Sequence, residues 1–93
     1  MDIRPLKSKL KIVFPEECEN FMAEEALSVL KETNLAAKPA AEIDLSAVRT
    51  MDTTFVNILV SLLNTLKEKG IKYEITGKSS EVSRVMGLYG LGI

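Results

Sequence analysis

The apolar residues of this chain switch repeatedly between the two-residue repeat of a strand and the roughly 3.6-residue repeat of a helix. No other feature limits the possible folds as strongly. Strand-like repeats occupy residues 6–14, 42–48 and 71–75, and helical repeats occupy residues 20–33, 53–69 and a last segment before Gly90. The resulting β-α-β-α-β-α order predicts an α/β fold. Strands separated by helices of this length form right-handed parallel crossovers, with the helices packed on a sheet.

Residues with special backbone preferences mark the ends of these segments. Pro15 ends the first strand because it has no N–H to donate, and Asn20 is predicted to cap the first helix. Gly70 and Gly90 are predicted to end the second and third helices with a positive φ. The remaining boundaries are the connector 34–41, Gly77 after the third strand, and Ser79 or Ser80 as the cap of the last helix.

The composition excludes two classes of partner. The chain has 93 residues, 46% of them hydrophobic, which suits one globular domain. Its 12 basic and 13 acidic residues give a net charge of −1. Proteins that bind nucleic acid or anionic membranes usually carry a basic excess, so neither partner is expected. No apolar segment resembles a signal peptide or reaches the roughly 20 residues of a membrane span, so we expect a cytoplasmic protein without membrane insertion.

The residue types present argue against an enzyme. The chain has no histidine, the commonest general base near neutral pH and the commonest metal ligand. It also has no glycine-rich phosphate loop followed by Lys and Ser or Thr. We therefore expect no catalytic residue, no metal ligand and no cofactor. Cys18 lies among Glu16, Glu17 and Glu19, which disfavour its thiolate, and an inert or partly buried thiol is predicted.

Residues 43–54 (Ile-Asp-Leu-Ser-Ala-Val-Arg-Thr-Met-Asp-Thr-Thr) resemble the central signature of the STAS domain family. That family shows an apolar strand ending in Asp-Leu-Ser-Gly, then Met/Ile-Asp-Ser-Ser/Thr-Gly opening a helix. The similarity continues through residues 66–72 and 79–91, and so covers more than half of the chain. It implies a STAS-like fold, a small mixed sheet of about four strands with helices packed on it, as a single domain over residues 1–93.

Two features depart from the family pattern. Phe55 stands where the family has Gly after its pair of hydroxyl residues. The chain also stops at Ile93, where many relatives continue into another strand and helix, so a shortened C-terminus is expected. Whether a sheet edge left exposed in this way is covered by a second copy, as a homodimer, stays open.

The resemblance implies a function and a modification site. Bacterial anti-anti-sigma factors of this family bind an anti-sigma factor that is also a serine/threonine kinase. The kinase inactivates them by phosphorylating the Ser or Thr that directly follows the motif Asp. By this resemblance the phosphoacceptor is Thr53, with Thr54 as second choice, and Asp52 is the preceding acid. The alternative is a non-phosphorylated STAS adaptor in a stressosome, chemotaxis or transporter-associated complex, with the bulky Phe55 making a persistent contact.

The Asp52-Thr53-Thr54 segment has two interpretations at the start of a helix. N-capping alone accounts for these residue types. Alternatively, the unpaired N–H groups there would accommodate a phosphate without unfolding, while a docked partner would meet a new dianion beside Asp52. Asn57 and Ser61 extend this face or are its solvated side, and Ser79 and Ser80 are caps or contacts. The predicted partner-binding residues are Asp52, Thr53, Thr54, Phe55, Asn57, Ser61, Ser79 and Ser80.

Overall fold

The computed structural model describes residues 1–91 and shows six strands and three helices within that range. The strands are β1 (Asp2–Pro5), β2 (Leu10–Val13), β3 (Glu17–Cys18), β4 (Ala40–Leu45), β5 (Thr50–Met51) and β6 (Lys72–Lys78). The helices are α1 (Asn20–Glu32), α2 (Thr53–Glu68) and α3 (Ser80–Leu88), and a 3₁₀ turn (Leu35–Ala37) precedes β4.

Four strands form one mixed sheet in the order β1-β2-β4-β6. β1 and β2 are antiparallel, whereas β2, β4 and β6 run parallel and are joined through α1 and α2. Two right-handed crossovers that step the same way across a sheet place both helices on one face. There α1 and α2 contact each other, while α3 packs against β5 and β6. The predicted small mixed sheet with helices on it is confirmed.

The predicted strand 6–14 is corrected, because only Leu10–Val13 is a strand and residues 6–9 form the turn of a hairpin that begins with β1. The Leu6 N–H donates to the Lys9 carbonyl over 2.8 Å and closes a turn between β1 and β2. Pro5 is tolerated in β1 because this strand lies at the edge of the sheet. The hairpin therefore adds a strand before the predicted β-α-β-α-β-α order.

The alternating strands and the helical stripe meet in one core. Ile12 of β2 and Ile43 of β4 are paired and fully buried, with half-buried neighbours on each strand. Phe14 and Phe55 meet edge to face, with ring centroids 6.3 Å apart and planes at 70°. Such a pair adds about 0.5–1.5 kcal/mol to the burial of the two rings. The buried stripe of α2 is Phe55, Val56, Ile58, Leu59, Leu62, Leu63 and Leu66.

The opposite face of the sheet carries cross-strand polar pairs centred on Glu42. Its carboxylate lies 2.7 Å from the Lys9 ammonium and accepts a hydrogen bond from the Thr76 hydroxyl at 2.9 Å. The hydrogen bond from Lys9, followed by that from Thr76, lowers the pKa of Glu42 below its ordinary value. Because these polar groups pair with each other, this face does not require a helix to cover it.

Helix and strand boundaries differ from the predicted ones at a few points. Gly70 and Gly90 have positive φ angles of 71° and 68°, as predicted. The N-cap of α1 is Glu19, and Asn20 is already helical, so the predicted cap is wrong by one residue. The second predicted strand, 42–48, begins two residues earlier and ends at Leu45.

Gly77 lies inside β6, not after it. Thr76 is an extra, unpaired residue of β6, so the register shifts and places Gly77 opposite Asp44, and β6 continues to Lys78. A Cβ atom added at Gly77 would lie 2.9 Å from the Ser46 Cβ, closer than such atoms approach in folded proteins. The strand can therefore pass β4 at this bulge only with a glycine.

Replacing Gly77 with alanine is expected to lower the free energy of unfolding by about 1–3 kcal/mol, because Ser46 or the strand must move to admit the methyl group. Gly87→Ala is the matched control. Gly87 lies within α3, and a Cβ atom added there would have open space around it, so alanine should raise stability by about 0.5–1 kcal/mol. Urea unfolding of both variants measures the difference. Equal effects of the two substitutions would contradict the close approach at Gly77.

Candidate functional site

The short strands β3 and β5 bring the beginnings of α1 and α2 together. Glu17 pairs with Thr50 and Cys18 with Met51 in a parallel ladder. The Asp52 N–H extends this ladder by donating to the Cys18 carbonyl over 3.0 Å. Since each strand leads directly into a helix, the two helices start side by side at one corner of the molecule.

The Asp52 carboxylate caps both helices at this corner. One oxygen, Oδ1, accepts from the Phe55 N–H of α2 at 3.1 Å. The other, Oδ2, accepts from the Asn20 N–H of α1 at 2.7 Å. Glu19, the N-cap residue of α1, makes no side-chain cap of its own. Asp52 is half-buried, and its carboxylate satisfies two helix ends rather than facing a partner freely.

Thr53 lies at the surface as the first residue of α2. Its hydroxyl is hydrogen-bonded to the hydroxyl of Tyr89, the residue that caps the end of α3. Thr54 is half-buried, so Thr53 is the more accessible of the two candidate acceptors. The position predicted for a modified hydroxyl is thus exposed, and its oxygen has a defined neighbour.

Phe55 does not belong to the exposed surface, which corrects its assignment to partner binding. Its side chain has no exposed area and packs against Phe14 in the core. The reason is its place on the apolar stripe of α2, three and four residues before Ile58 and Leu59. A partner cannot reach the ring in this fold, so the persistent contact suggested for Phe55 is wrong.

Asn57 and Ser61 are exposed and follow Thr53 along the outer side of α2. Ser61 also borders a shallow groove of about 200 Å³ between α1 and α2. The groove is mainly apolar, and its lining residues are Leu27, Leu30, Lys31, Leu35, Ser61, Leu62 and Thr65. These two polar residues therefore continue the surface that begins at Thr53, as the helical spacing predicts.

Ser79 and Ser80 lie at the other end of α3 from Tyr89. The Ser79 hydroxyl accepts from the Val82 N–H at 3.1 Å and caps α3, which confirms one of the two predicted caps. Ser79 and Tyr89 are ten residues apart, which corresponds to about 15 Å along the helix axis. The structure therefore does not bring Ser79 or Ser80 next to Thr53.

An acidic loop borders the corner on the β3 side. Glu16 and Glu17 are exposed, and Glu19 accepts a hydrogen bond from the Thr50 hydroxyl at 3.0 Å. Together with Arg49 they line a polar depression beside β5. The loop gives one side of the corner a negative rim.

Cys18 is buried, and its thiol donates to the Pro15 carbonyl over 3.2 Å. Burial raises the pKa of Cys18 to about 12, and the nearby Asp52 charge adds to this. The predicted unreactive thiol agrees with this environment. The neighbouring glutamates, which the sequence suggested as the reason, are not among the causes.

The contact between the Tyr89 and Thr53 hydroxyls was not predicted from the sequence. Tyr89 is 48% exposed, and near it Leu88 is 72% exposed. At the start of α1, Phe21 is 67% exposed. Exposed apolar side chains mark a binding surface where they form a contiguous patch, whereas singly exposed ones are ordinary. The sequence carried one signal for the exposed apolar side chains: Phe21 and Leu88 lie outside the apolar stripes of their helices.

Within residues 1–91, no group of three or more cysteine or acidic side chains could hold a metal ion. In the same range, no helix combines the length and the apolar character needed to cross a membrane.

Comparison with known protein families gives one match. A family model described as "Mlab, STAS domain" matches residues 19–93, well over half of the chain. The match includes the whole of α1, α2 and α3, and with them Asp52 and Thr53. No curated protein matches the chain.

Removing the Asp52 carboxylate should cost more stability than removing an ordinary helix cap. Asp52→Ala loses two caps at once, so we expect the free energy of unfolding to fall by about 2–3 kcal/mol. Ser79→Ala loses the single cap of α3 and should cost about 1 kcal/mol. Urea unfolding compares the two variants. A cost for Asp52→Ala no larger than for Ser79→Ala would show that the second cap contributes nothing.

Proposed function

The chain belongs to the STAS domain family, whose members mediate protein–protein interactions, and we propose that it is an anti-sigma factor antagonist controlled by phosphorylation at Thr53. In this proposal it works in the cytoplasm, binds an anti-sigma factor that is also a serine/threonine kinase, and catalyses no reaction itself. The observation that carries the proposal is the exposed Thr53 hydroxyl at the corner where α1 and α2 begin.

The geometry supports an acceptor at Thr53 over one at Thr54. Thr53 is exposed and directly follows Asp52, whereas Thr54 is half-buried. A kinase must bring its phosphate donor into line with the acceptor hydroxyl, which requires access from solvent. Thr53 meets this requirement without any unfolding of α2.

The electrostatics of the corner support a switch that acts on the interface. A phosphate adds about −1.5 to −2 charge, and the start of α2 carries a partial positive charge that would accommodate it. A partner docked on the same corner would meet this dianion beside the half-buried Asp52 carboxylate. Unmatched like charges at an interface cost several kcal/mol, so phosphorylation would weaken the complex by about 100-fold or more.

The surroundings of Thr53 suit a protein partner better than a small ligand. Phe21 and Leu88 offer exposed apolar area, while Glu16 and Glu17 form an acidic rim. Apolar anchors surrounded by charged residues are the usual composition of a protein-binding surface.

The test combines phosphorylation with binding. The chain is incubated with ATP and an anti-sigma kinase encoded beside it, and mass spectrometry counts the phosphates added. We expect one phosphate on the unchanged chain and on Thr54→Ala, and none on Thr53→Ala. Calorimetry should then show the kinase binding the unmodified chain at least about 100-fold more tightly than the phosphorylated one. Phosphate retained by Thr53→Ala would exclude Thr53 as the acceptor, and absence of both binding and phosphate would exclude the function.

A constitutive adaptor in a stressosome, chemotaxis or transporter-associated complex is the second candidate. It is favoured by the bond between the Thr53 and Tyr89 hydroxyls, which occupies the acceptor oxygen in the free chain. Thr53→Glu separates the two functions. The charge should weaken a phosphorylation-controlled complex, whereas the complex of an adaptor that does not use this hydroxyl as a switch should keep its affinity.

A further inference from the structure

The hydroxyls of Thr53 and Tyr89 join two helix ends that lie 36 residues apart in the sequence. Thr53 is the first residue of α2, and Tyr89 is the C-cap of α3. With nine residues, α3 is too short to be stable by itself, so it depends on its contacts. Its buried contacts come from Val82, Val85 and Met86. The hydrogen bond between the Tyr89 and Thr53 hydroxyls, called the tie below, adds a polar contact at the end of this helix.

The last turn of α3 depends on a small set of backbone bonds. The Tyr89 N–H donates to the Val85 carbonyl at 3.2 Å, and the Leu91 N–H donates to the Met86 carbonyl at 2.9 Å. Gly90, with φ of 68°, turns the chain between them, and Leu91 packs against the core. A change in the position of Tyr89 therefore acts directly on the bonds that end the helix.

Thr53 and Tyr89 stand at helix ends of opposite polarity. The start of α2 carries a partial positive charge and the end of α3 a partial negative charge. In the unmodified chain the two neutral hydroxyls meet without an electrostatic penalty. A phosphate on Thr53 would be attracted by the start of α2, whereas the end of α3 would offer it no such attraction.

Phosphorylation also removes the hydroxyl that makes the tie. The Thr53 oxygen attacks the γ-phosphorus of ATP and loses its proton to the kinase base, an O–P bond forms, and the P–O bond to the departing ADP breaks. The product oxygen is an ester oxygen with no proton and a weaker lone pair.

We infer that Tyr89 ties the end of α3 to Thr53, so that phosphorylation of Thr53 releases the last turn of α3 and rearranges the exposed surface at Leu88 and Tyr89. The inference rests on the proposed phosphorylation at Thr53 and gives that modification a second effect, on the structure of α3. The modified chain would differ from the unmodified one in the order of α3 as well as in charge. Tyr89 is in this sense a positioning residue for the Thr53 hydroxyl.

The tie is tested without any kinase by two variants that each remove one hydroxyl. Thr53→Val and Tyr89→Phe keep the size of the side chain, and Thr54→Val and Tyr73→Phe are matched controls. Hydrogen exchange of the Tyr89, Gly90 and Leu91 amides is followed by NMR. A hydrogen bond of this kind contributes about 0.5–1.5 kcal/mol, so each variant should exchange about two- to tenfold faster there. The double variant should exchange no faster than either single one. Exchange rates equal to those of the controls would overturn the tie.

The release is tested by placing phosphothreonine at position 53 during translation, which also needs no kinase. We expect exchange of the same amides to accelerate at least as much as in Tyr89→Phe, with α1 unaffected. Phosphothreonine at position 54 is the control and should leave the end of α3 protected. Unchanged exchange with phosphate at position 53 would overturn the inference even if a kinase modifies Thr53. A response at α3 together with no kinase that modifies Thr53 would instead overturn the proposed function and leave the tie standing.

Discussion

One carboxylate, that of Asp52, holds together the corner where α1 and α2 begin. It accepts hydrogen bonds from the first N–H of α1 and from the third N–H of α2, while its own N–H continues the ladder of β3 and β5. The first N–H groups of a helix have no partner within the helix. Asp52 accepts a hydrogen bond from one such group in each helix and so fixes the residue at which α2 begins. The next residue, Thr53, is then held at the surface.

The corner differs from the rest of the surface in how its charges are balanced. On the open face of the sheet, Glu42 pairs with Lys9 and Thr76, so the charge is largely matched locally. At the corner the negative groups of Asp52 and the acidic loop lie at the positive ends of α1 and α2, and the side chain of Tyr89, the C-cap of α3, reaches the Thr53 hydroxyl. An added dianion here would change the charge balance at the starts of two helices at once. In the proposed function, this charge balance lets a single exposed hydroxyl act as a control point without being part of the core.

Burial distinguishes the predicted surface residues that a partner can reach from those that it cannot. Phe55 and Thr53 are two residues apart, yet one is fully buried and the other exposed. On a helix, two residues span about 200°, so neighbours of this spacing face nearly opposite directions. Ser79 and Ser80 are separated from Thr53 for a different reason, because they begin the helix whose other end makes the contact.

Local patterns in the sequence were sufficient for the helices, their glycine ends, the parallel crossovers and the exposure of Thr53 at a helix start. Each of these follows from the periodicity or backbone preference of nearby residues. The sequence also contained the signal for Phe55, whose spacing to Leu59 marks it as core. Other features required residues far apart in the chain to meet. The turn at Leu6 competes with a continuous strand, and only pairing of β1 with β2 decides between them. The Asp52–Asn20 cap spans 32 residues and the Thr53–Tyr89 bond spans 36, so no local pattern encodes either contact. Packing of the helices on the sheet sets those distances, and for that reason the tertiary structure alone decided them.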